Sequence, residues 1–135
     1  MTKTFRINGD YDKRNDVLYL ETTGEYADTV ALSDDLIVDV DEDENVIGVE
    51  IHYASEAFNI PSDYLDDLVA VRGSIDISED EVKIHLKVVS EVRNDIQERG
   101  SYNVHVPNEQ LKAQQQQLFF SSRRRHTRSV SAFLL

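Results

Sequence analysis

The chain has 135 residues, contains no cysteine and carries a formal net charge of −12. This length predicts a single domain, and the lack of cysteine excludes a disulfide framework or a thiolate zinc site. Without the four arginines of the last eighteen residues, 26 acidic side chains face 10 basic ones, a net charge of −16. Such a surface repels phosphate groups and anionic lipids, so we expect neither nucleic acid nor membrane partners.

The location of the protein is predicted from the same features. The start of the chain has no apolar segment of the kind that forms a signal peptide or a membrane span. We therefore expect a cytoplasmic protein. Its high acidic content also suits solubility in a salt-rich cytoplasm, such as that of a halophile.

Two hairpins are predicted in the first half of the chain. Residues 4–12 and 16–21 alternate apolar and polar side chains around a turn, and residues 36–40 and 46–51 are β-branched runs around an acidic loop. In that loop, residues 41–45, Asn45 is expected to take a positive φ. One brief strand is expected within residues 22–35.

A helix and further strands are predicted in the second half. Pro61, Ser62 and Asp63 form a helix start signal for a short helix near 61–69. Strand alternation follows across residues 69–107, and Asn108 is expected to cap a helical turn through Leu111. The predicted fold class is α+β, a mainly antiparallel β-sheet built from hairpins, with six or seven strands and that one helix.

The end of the chain differs in composition from the rest. After four glutamines, residues 118–135 contain three consecutive arginines within apolar and serine-rich sequence. This segment resembles a translated sequencing-adapter tail. We expect a single domain over residues 1–117 and a non-native, disordered tail over 118–135; the alternative is a basic nucleic-acid or localisation patch.

Several short motifs in the first half also carry a family resemblance. They are Tyr11-Asp12, Asp16-Val17-Leu18-Tyr19-Leu20, the acidic run from Asp39 to Asp43, Ile47-Gly48-Val49-Glu50-Ile51 and Ala54-Ser55. Together, over residues 5–55, they resemble the domain-of-unknown-function family 2283. Glu44 and Asn45 stand where that family more often has a turn glycine. The resemblance implies a fold and no established activity.

The acidic loop partly matches a calcium-binding pattern. Asp39, Asp41, Asp43 and Glu50 fall at positions 1, 3, 5 and 12 of such a loop. The sixth position, which requires glycine, is Glu44, and the flanking segments are strands in place of helices. Asp39 and Asp41 are therefore only weak candidates for cation binding.

Two histidines form a second candidate site. If the strands that carry them pair about a loop centred near Asp95, His85 and His105 become cross-strand neighbours that could bind a metal or respond to pH. A zinc site needs a third protein ligand, which the pattern does not supply. His85 and His105 are therefore weak metal candidates.

No catalytic or cofactor-binding residue emerges from the remaining sequence. The paired carboxylates at 66–67 and 79–81 fall in a helix face and a turn open to water, where a carboxyl keeps too low a pKa for general acid catalysis. We predict a non-catalytic binding or structural module that acts on a protein partner or as a homo-oligomer, through a sheet edge or face. The alternatives are an antitoxin-like partner that neutralises a basic toxin, and a small metal-dependent enzyme that uses His85 and His105.

Overall fold

The computed structural model describes residues 3–6, 8–21 and 25–121, which form ten strands and two short helices. In chain order these are β1 (Lys3–Arg6), β2 (Asn8–Asp12), β3 (Val17–Glu21), β4 (Asp28–Ala31), β5 (Leu36–Val40), β6 (Val46–His52), α1 (Ala54–Phe58), α2 (Ser62–Asp66), β7 (Leu68–Ile77), β8 (Glu81–Val92), β9 (Asp95–Pro107) and β10 (Gln114–Ser121). The predicted α+β class with mainly antiparallel strands is confirmed. No helix in these ranges is long and apolar enough to cross a membrane.

The strands form two five-stranded sheets. Sheet A has the order β1-β10-β7-β8-β9, and sheet B has the order β2-β3-β6-β5-β4. Neighbouring strands are antiparallel throughout, except that β1 and β10 run parallel. Buried apolar side chains from both sheets and both helices form one continuous core, so the sheets pack face to face.

Sheet B contains both predicted hairpins and the brief strand, β4, expected within residues 22–35. Residues 4–6, predicted as part of the first hairpin, instead belong to β1 of sheet A. The alternation of apolar and polar side chains explains how β3 and β5 pair with β6, because Leu18 and Leu36 both lie opposite the fully buried Ile51. The predicted helix near 61–69 is α2, which ends at Asp66 because the largely buried strand β7 begins at Leu68. Helix α1 was not predicted, since the sequence shows a helix start signal only at Pro61, Ser62 and Asp63.

Sheet A is built on the long β8–β9 hairpin. Its two-residue turn is Arg93-Asn94, and both residues have a positive φ, which matches the twist of the flanking strands. In β7, a Cβ on Gly73 would lie 1.9 Å from the His85 carbonyl oxygen, so only glycine permits this close approach.

The helical turn expected at Asn108 is wrong. Residues 109–110 form a bend, and the Asn108 side chain accepts a hydrogen bond from the Leu111 N–H at 2.8 Å. It also donates to the Ser78 carbonyl at 2.7 Å. The asparagine thus joins the end of β9 to the turn between β7 and β8 instead of starting a helix.

The last described strand extends past the expected domain boundary at Gln117. Strand β10 continues through Ser121, lies between β1 and β7, and buries Leu118 to 5% exposure. Residues 118–121 are therefore part of sheet A. The remainder of the proposed tail, residues 122–135, lies outside the described residues, and its non-native origin stays a prediction.

The glutamine run connects the two sheets. Gln114 Oε1 accepts the Val46 N–H at 2.9 Å, and Gln116 Nε2 donates to the Val46 carbonyl at 2.9 Å and to Gln114 Oε1 at 2.6 Å. Gln116 is only 2% exposed. Buried side-chain amides are costly unless they are hydrogen-bonded, so these bonds fix β10 against the start of β6.

Two truncated chains test this boundary. A chain that ends at Gln117 loses the second half of β10 and buried Leu118, which should cost at least about 2 to 5 kcal/mol and lower the melting temperature by roughly 10 °C. A chain that ends at Ser121 keeps β10 and should melt within about a degree of the full chain. Differential scanning calorimetry measures both, and equal melting temperatures for the two truncated chains would contradict the placement of 118–121 in sheet A.

Candidate functional site

The two candidate histidines lie on the solvent-facing side of sheet A but not side by side. The β8–β9 register places His85 opposite Asn103 and His105 opposite Lys83. The turn Arg93-Asn94 lies earlier than the predicted centre at Asp95, and a bulge between Val88 and Val89 then shifts the register by one residue, so that Asn103 takes the position expected for His105. His85 Nδ1 is hydrogen-bonded to Asn103 Oδ1. The histidines are diagonal neighbours, and the described chain contains no group of three or more His, Cys, Asp or Glu arranged for a metal ion.

The candidate aspartates of the β5–β6 hairpin have separate structural roles. Asp39 Oδ1 accepts the Thr29 hydroxyl at 2.8 Å. Asp41 lies beyond the end of β5, and its Oδ1 accepts the N–H groups of Asp43 and Asn45, both at 2.9 Å. The hydrogen bond from the Asn45 N–H is the main reason why the pKa of Asp41 is lowered. Asp41 therefore closes the loop.

The positive φ in this loop belongs to Glu44 and not, as expected, to Asn45. Glu44 has φ 65°, and its N–H donates to the Asp41 carbonyl at 3.0 Å. Its own carbonyl accepts from Gln114 Nε2 at 3.0 Å. Asn45 is used differently, since its N–H donates to the Asp41 carboxylate and its carbonyl accepts the Asp41 N–H at 3.0 Å.

The predicted carboxylate pairs stay apart from any enclosed cleft. Asp66 and Asp67 end α2, and residues 79–81 form the turn into β8, where Glu79 and Asp80 are exposed. Acid catalysis needs a carboxyl in an apolar cleft. The geometry of these residues is that of solvated turns.

Asp16 organises a network that the sequence analysis did not single out as a site. Its Oδ1 accepts the Tyr11 hydroxyl at 2.6 Å and the Ser55 N–H at 3.0 Å, while Oδ2 accepts the Ser55 hydroxyl at 2.7 Å. The Asp16 carbonyl also accepts the Ala54 N–H at 3.0 Å. Tyr11, Asp16, Ala54 and Ser55 all belong to the motifs of the family resemblance, but nothing local in the sequence indicated that they meet.

The electrostatics of this network favour a structural role. Burial alone would raise the pKa of Asp16, but the hydrogen bonds from Tyr11 and Ser55 outweigh it and lower that pKa. The pKa of Tyr11 is raised, first by burial and then by donation to Asp16. The carboxylate of Asp16 is thus committed to hydrogen bonds that join β2, the β2–β3 turn and the start of α1.

The solvent-facing side of sheet B forms a different kind of surface. Strand register and alternation place six side chains there, which we call the acidic face: Asp10, Asp12, Tyr19, Glu21, Asp39 and Glu50. No lysine or arginine occurs in the five strands of this sheet. Tyr19 is 36% exposed, and its pKa is raised by burial and by the nearby carboxylates of Glu50, Asp12 and Asp10. Glu50 Oε2 lies 2.7 Å from His52 Nε2, so the two side chains pair.

Replacing Asp16 with asparagine tests the network. Asparagine cannot accept both hydroxyls and the N–H, so Asp16→Asn should lower the free energy of unfolding at pH 7 by about 1 to 3 kcal/mol. Because the folded pKa of Asp16 is lowered, its contribution is present above its unfolded pKa and is lost as pH falls through the folded value. The difference between Asp16→Asn and wild type should therefore shrink below about pH 4. Urea titrations across pH measure it.

Asp10→Asn is the matched control, because Asp10 lies exposed in the same hairpin. It should change stability by less than about 0.5 kcal/mol. Equal losses from the two substitutions at pH 7 would show that Asp16 has no special role.

The strained residue of the hairpin loop gives a second test. A non-glycine residue in the left-handed region costs roughly 1 to 2 kcal/mol, so Glu44→Gly should raise the free energy of unfolding by about 0.5 to 1 kcal/mol after the entropy cost of glycine. Glu42→Gly, at a loop position without positive φ, should lower it. Urea denaturation compares the two variants, and a destabilising Glu44→Gly would contradict the loop conformation.

Comparisons with known proteins agree with the motif resemblance. The family model "Protein of unknown function (DUF2283)" matches residues 9–55, which extend from β2 into the start of α1. "Uncharacterized protein MJ0789" of Methanocaldococcus jannaschii is 31% identical over 84 residues, which are 62% of this chain and 72% of that protein. No solved structure matches.

A second relative has an enzyme name. A Methanosarcina mazei protein named "Putative hypoxanthine phosphoribosyltransferase" is 28% identical over 92 residues, 67% of this chain and 74% of that protein. The name describes that protein alone. The family match and the identity to the M. jannaschii protein show that this chain belongs to the DUF2283 family of proteins of unknown function.

Proposed function

We propose that this chain is a non-catalytic protein-binding module, and that its acidic face binds a basic protein partner in the cytoplasm. The observation that carries the proposal is the concentration of five carboxylates on the outer face that also exposes Tyr19, on a sheet whose strands hold no lysine or arginine.

The outer face of sheet A provides the contrast within the same molecule. There the cations have intramolecular partners: Arg72 and Lys87 lie 3.8 and 3.6 Å from Glu98, and Lys83 lies 3.2 Å from Glu81. On the acidic face Glu50 pairs with His52, but no lysine or arginine lies in the strands of this sheet. Charge that served solubility alone would not need to be distributed so unequally between the two outer faces.

A basic partner suits both parts of the acidic face. Complementary charge raises the rate of association and selects against acidic competitors. A central tyrosine supplies a large, rigid contact of the kind that dominates binding energy at interfaces. A basic toxin is one partner with this chemistry, and a small basic reading frame beside the gene would support the antitoxin-like form of the proposal.

The enzyme alternatives have weaker support. The register that separates His85 from His105 removes the geometry on which a two-histidine metal site was based. Phosphoribosyl transfer, suggested by the name of the M. mazei relative, requires a phosphate-bearing substrate, which the acidic surface repels.

Charge neutralisation on the acidic face tests the proposal. The variant D10N/E21Q/E50Q removes three carboxylates from that face, and E79Q/D80N/E109Q removes three exposed ones elsewhere. Tagged wild type and both variants are used for affinity capture from native lysate at low and high salt. Wild type and E79Q/D80N/E109Q should retain a basic protein. D10N/E21Q/E50Q should bind that protein at least tenfold more weakly, and high salt should release it from all three.

The matched control separates binding from solubility. If both variants capture the same proteins as wild type, the acidic face is not an interaction surface. If both variants lose binding of the partner equally, net charge alone is responsible for the binding, and the proposal is also wrong. Circular dichroism melts of the three proteins verify that each is folded.

A further inference from the structure

The edge of sheet A differs from the other sheet edges of the described chain. Strand β9 is outermost in its sheet and pairs only with β8, over thirteen residues. The other three outermost strands, β1, β2 and β4, have four or five residues each. An edge strand presents a row of backbone N–H and C=O groups that can pair with another chain.

Charge distinguishes β9 further. Residues 100–108 contain no carboxylate, although the chain has 26 of them. In contrast, β2 contains Asp10 and Asp12, and β4 begins with Asp28. Like charges directly opposite each other destabilise paired strands. Strand β1 also lacks a carboxylate, but it has only four residues and contains Lys3 and Arg6. The second half of β9 is therefore the longer edge along which two copies of an acidic protein can meet without like charges opposite each other.

Half-buried apolar side chains lie along the same stretch. Tyr102, Val104 and Val106 pack against the core but remain partly exposed. A small cleft of about 100 Å³ separates this end of β9 from β4 and is lined by Val30, Ala31, Leu32, Pro107, Glu109 and Gln110. The two sheets are thus less tightly closed here than where Gln114 and Gln116 bridge them.

We propose that two copies of this chain associate along the second half of β9, antiparallel about a two-fold axis at Val104, to form one continuous sheet across the dimer. This register places Tyr102 opposite Val106 of the second copy, on the inner side. Asn103 lies opposite His105 of the second copy on the outer side. The paired residues 101–107 carry no carboxylate, lysine or arginine.

Two opposing terms set the strength of this dimer. Backbone pairing and burial of the half-exposed apolar side chains favour it. The net negative charge of each copy opposes it and is screened by salt. Dimerisation should therefore tighten as salt is added, which is the reverse of the salt dependence expected for a basic partner on the acidic face.

A double substitution tests the pairing without harming the monomer. N103E/H105E puts two pairs of like charges opposite each other across the dimer axis, while within one copy the new carboxylates face His85 and Lys83. The dissociation constant of the dimer should rise on the order of tenfold or more. Arg14→Glu, in the exposed β2–β3 turn, makes the same change in net charge away from β9 and should leave dimerisation as in wild type.

Sedimentation equilibrium on the full chain, up to roughly 1 mM and at about 0.05 M and 0.5 M salt, gives the association constants. Hydrogen exchange should show protection within residues 101–106 that increases with protein concentration. A chain that stays monomeric under all these conditions, or an N103E/H105E variant that dimerises as strongly as wild type while melting normally, would overturn the proposal. A dimer without concentration-dependent protection within 101–106 would also overturn it, because it would place the interface elsewhere.

Discussion

The path of the chain from sheet B to sheet A depends on the carboxylate of Asp16. This residue ends the β2–β3 turn with φ 56°, a conformation that aspartate tolerates better than most residues. From there it accepts hydrogen bonds from Tyr11 and Ser55, and its carbonyl accepts from Ala54. The start of α1 is thereby attached to the first hairpin. Lys13, in the same turn, reaches Asp63 of α2 at 2.5 Å, so both short helices are held against one end of sheet B.

The shared core and the unequal outer faces follow from this connection. Once the helices turn the chain over, sheet A covers the apolar side of sheet B, and each sheet keeps one solvated side. Sheet A balances its exposed charges within itself, through Glu81 and Glu98. Sheet B does not. The chemistry available to a partner therefore differs between two faces that have the same architecture.

The local elements of this fold could be predicted from the sequence because their signals are local. Alternating side chains and acidic turns are sufficient to identify the hairpins of β2–β3 and β5–β6. The long-range features could not be predicted. Helix α1 is capped by Asp16, a residue 39 positions away, and the Gln114–Gln117 run becomes a strand because sheet A and Val46 supply its partners.

The candidate sites show the same limit. His85 and His105 do lie on paired strands, but whether they face each other depends on the register, which the turn Arg93-Asn94 and the bulge between Val88 and Val89 set together. In the sequence, the residues of the Asp16 network appeared only as members of the family motifs, without any sign that they contact each other. The chemistry of this network appears when the first hairpin and the start of α1, which are distant in sequence, come within hydrogen-bond distance.

The parallel pairing of β1 with β10 affects how the protein is made. Strands β2 to β6 form a complete sheet from contiguous residues, so sheet B can assemble as soon as that stretch has left the ribosome. Strand β1 is synthesised before all of them, yet its partner β10 is the last described strand. Strand β1 therefore stays unpaired until β10 has been synthesised. This delay has the cost in loop closure that slows folds with distant contacts, and during it the N-terminal segment is open to chaperones and to other nascent chains.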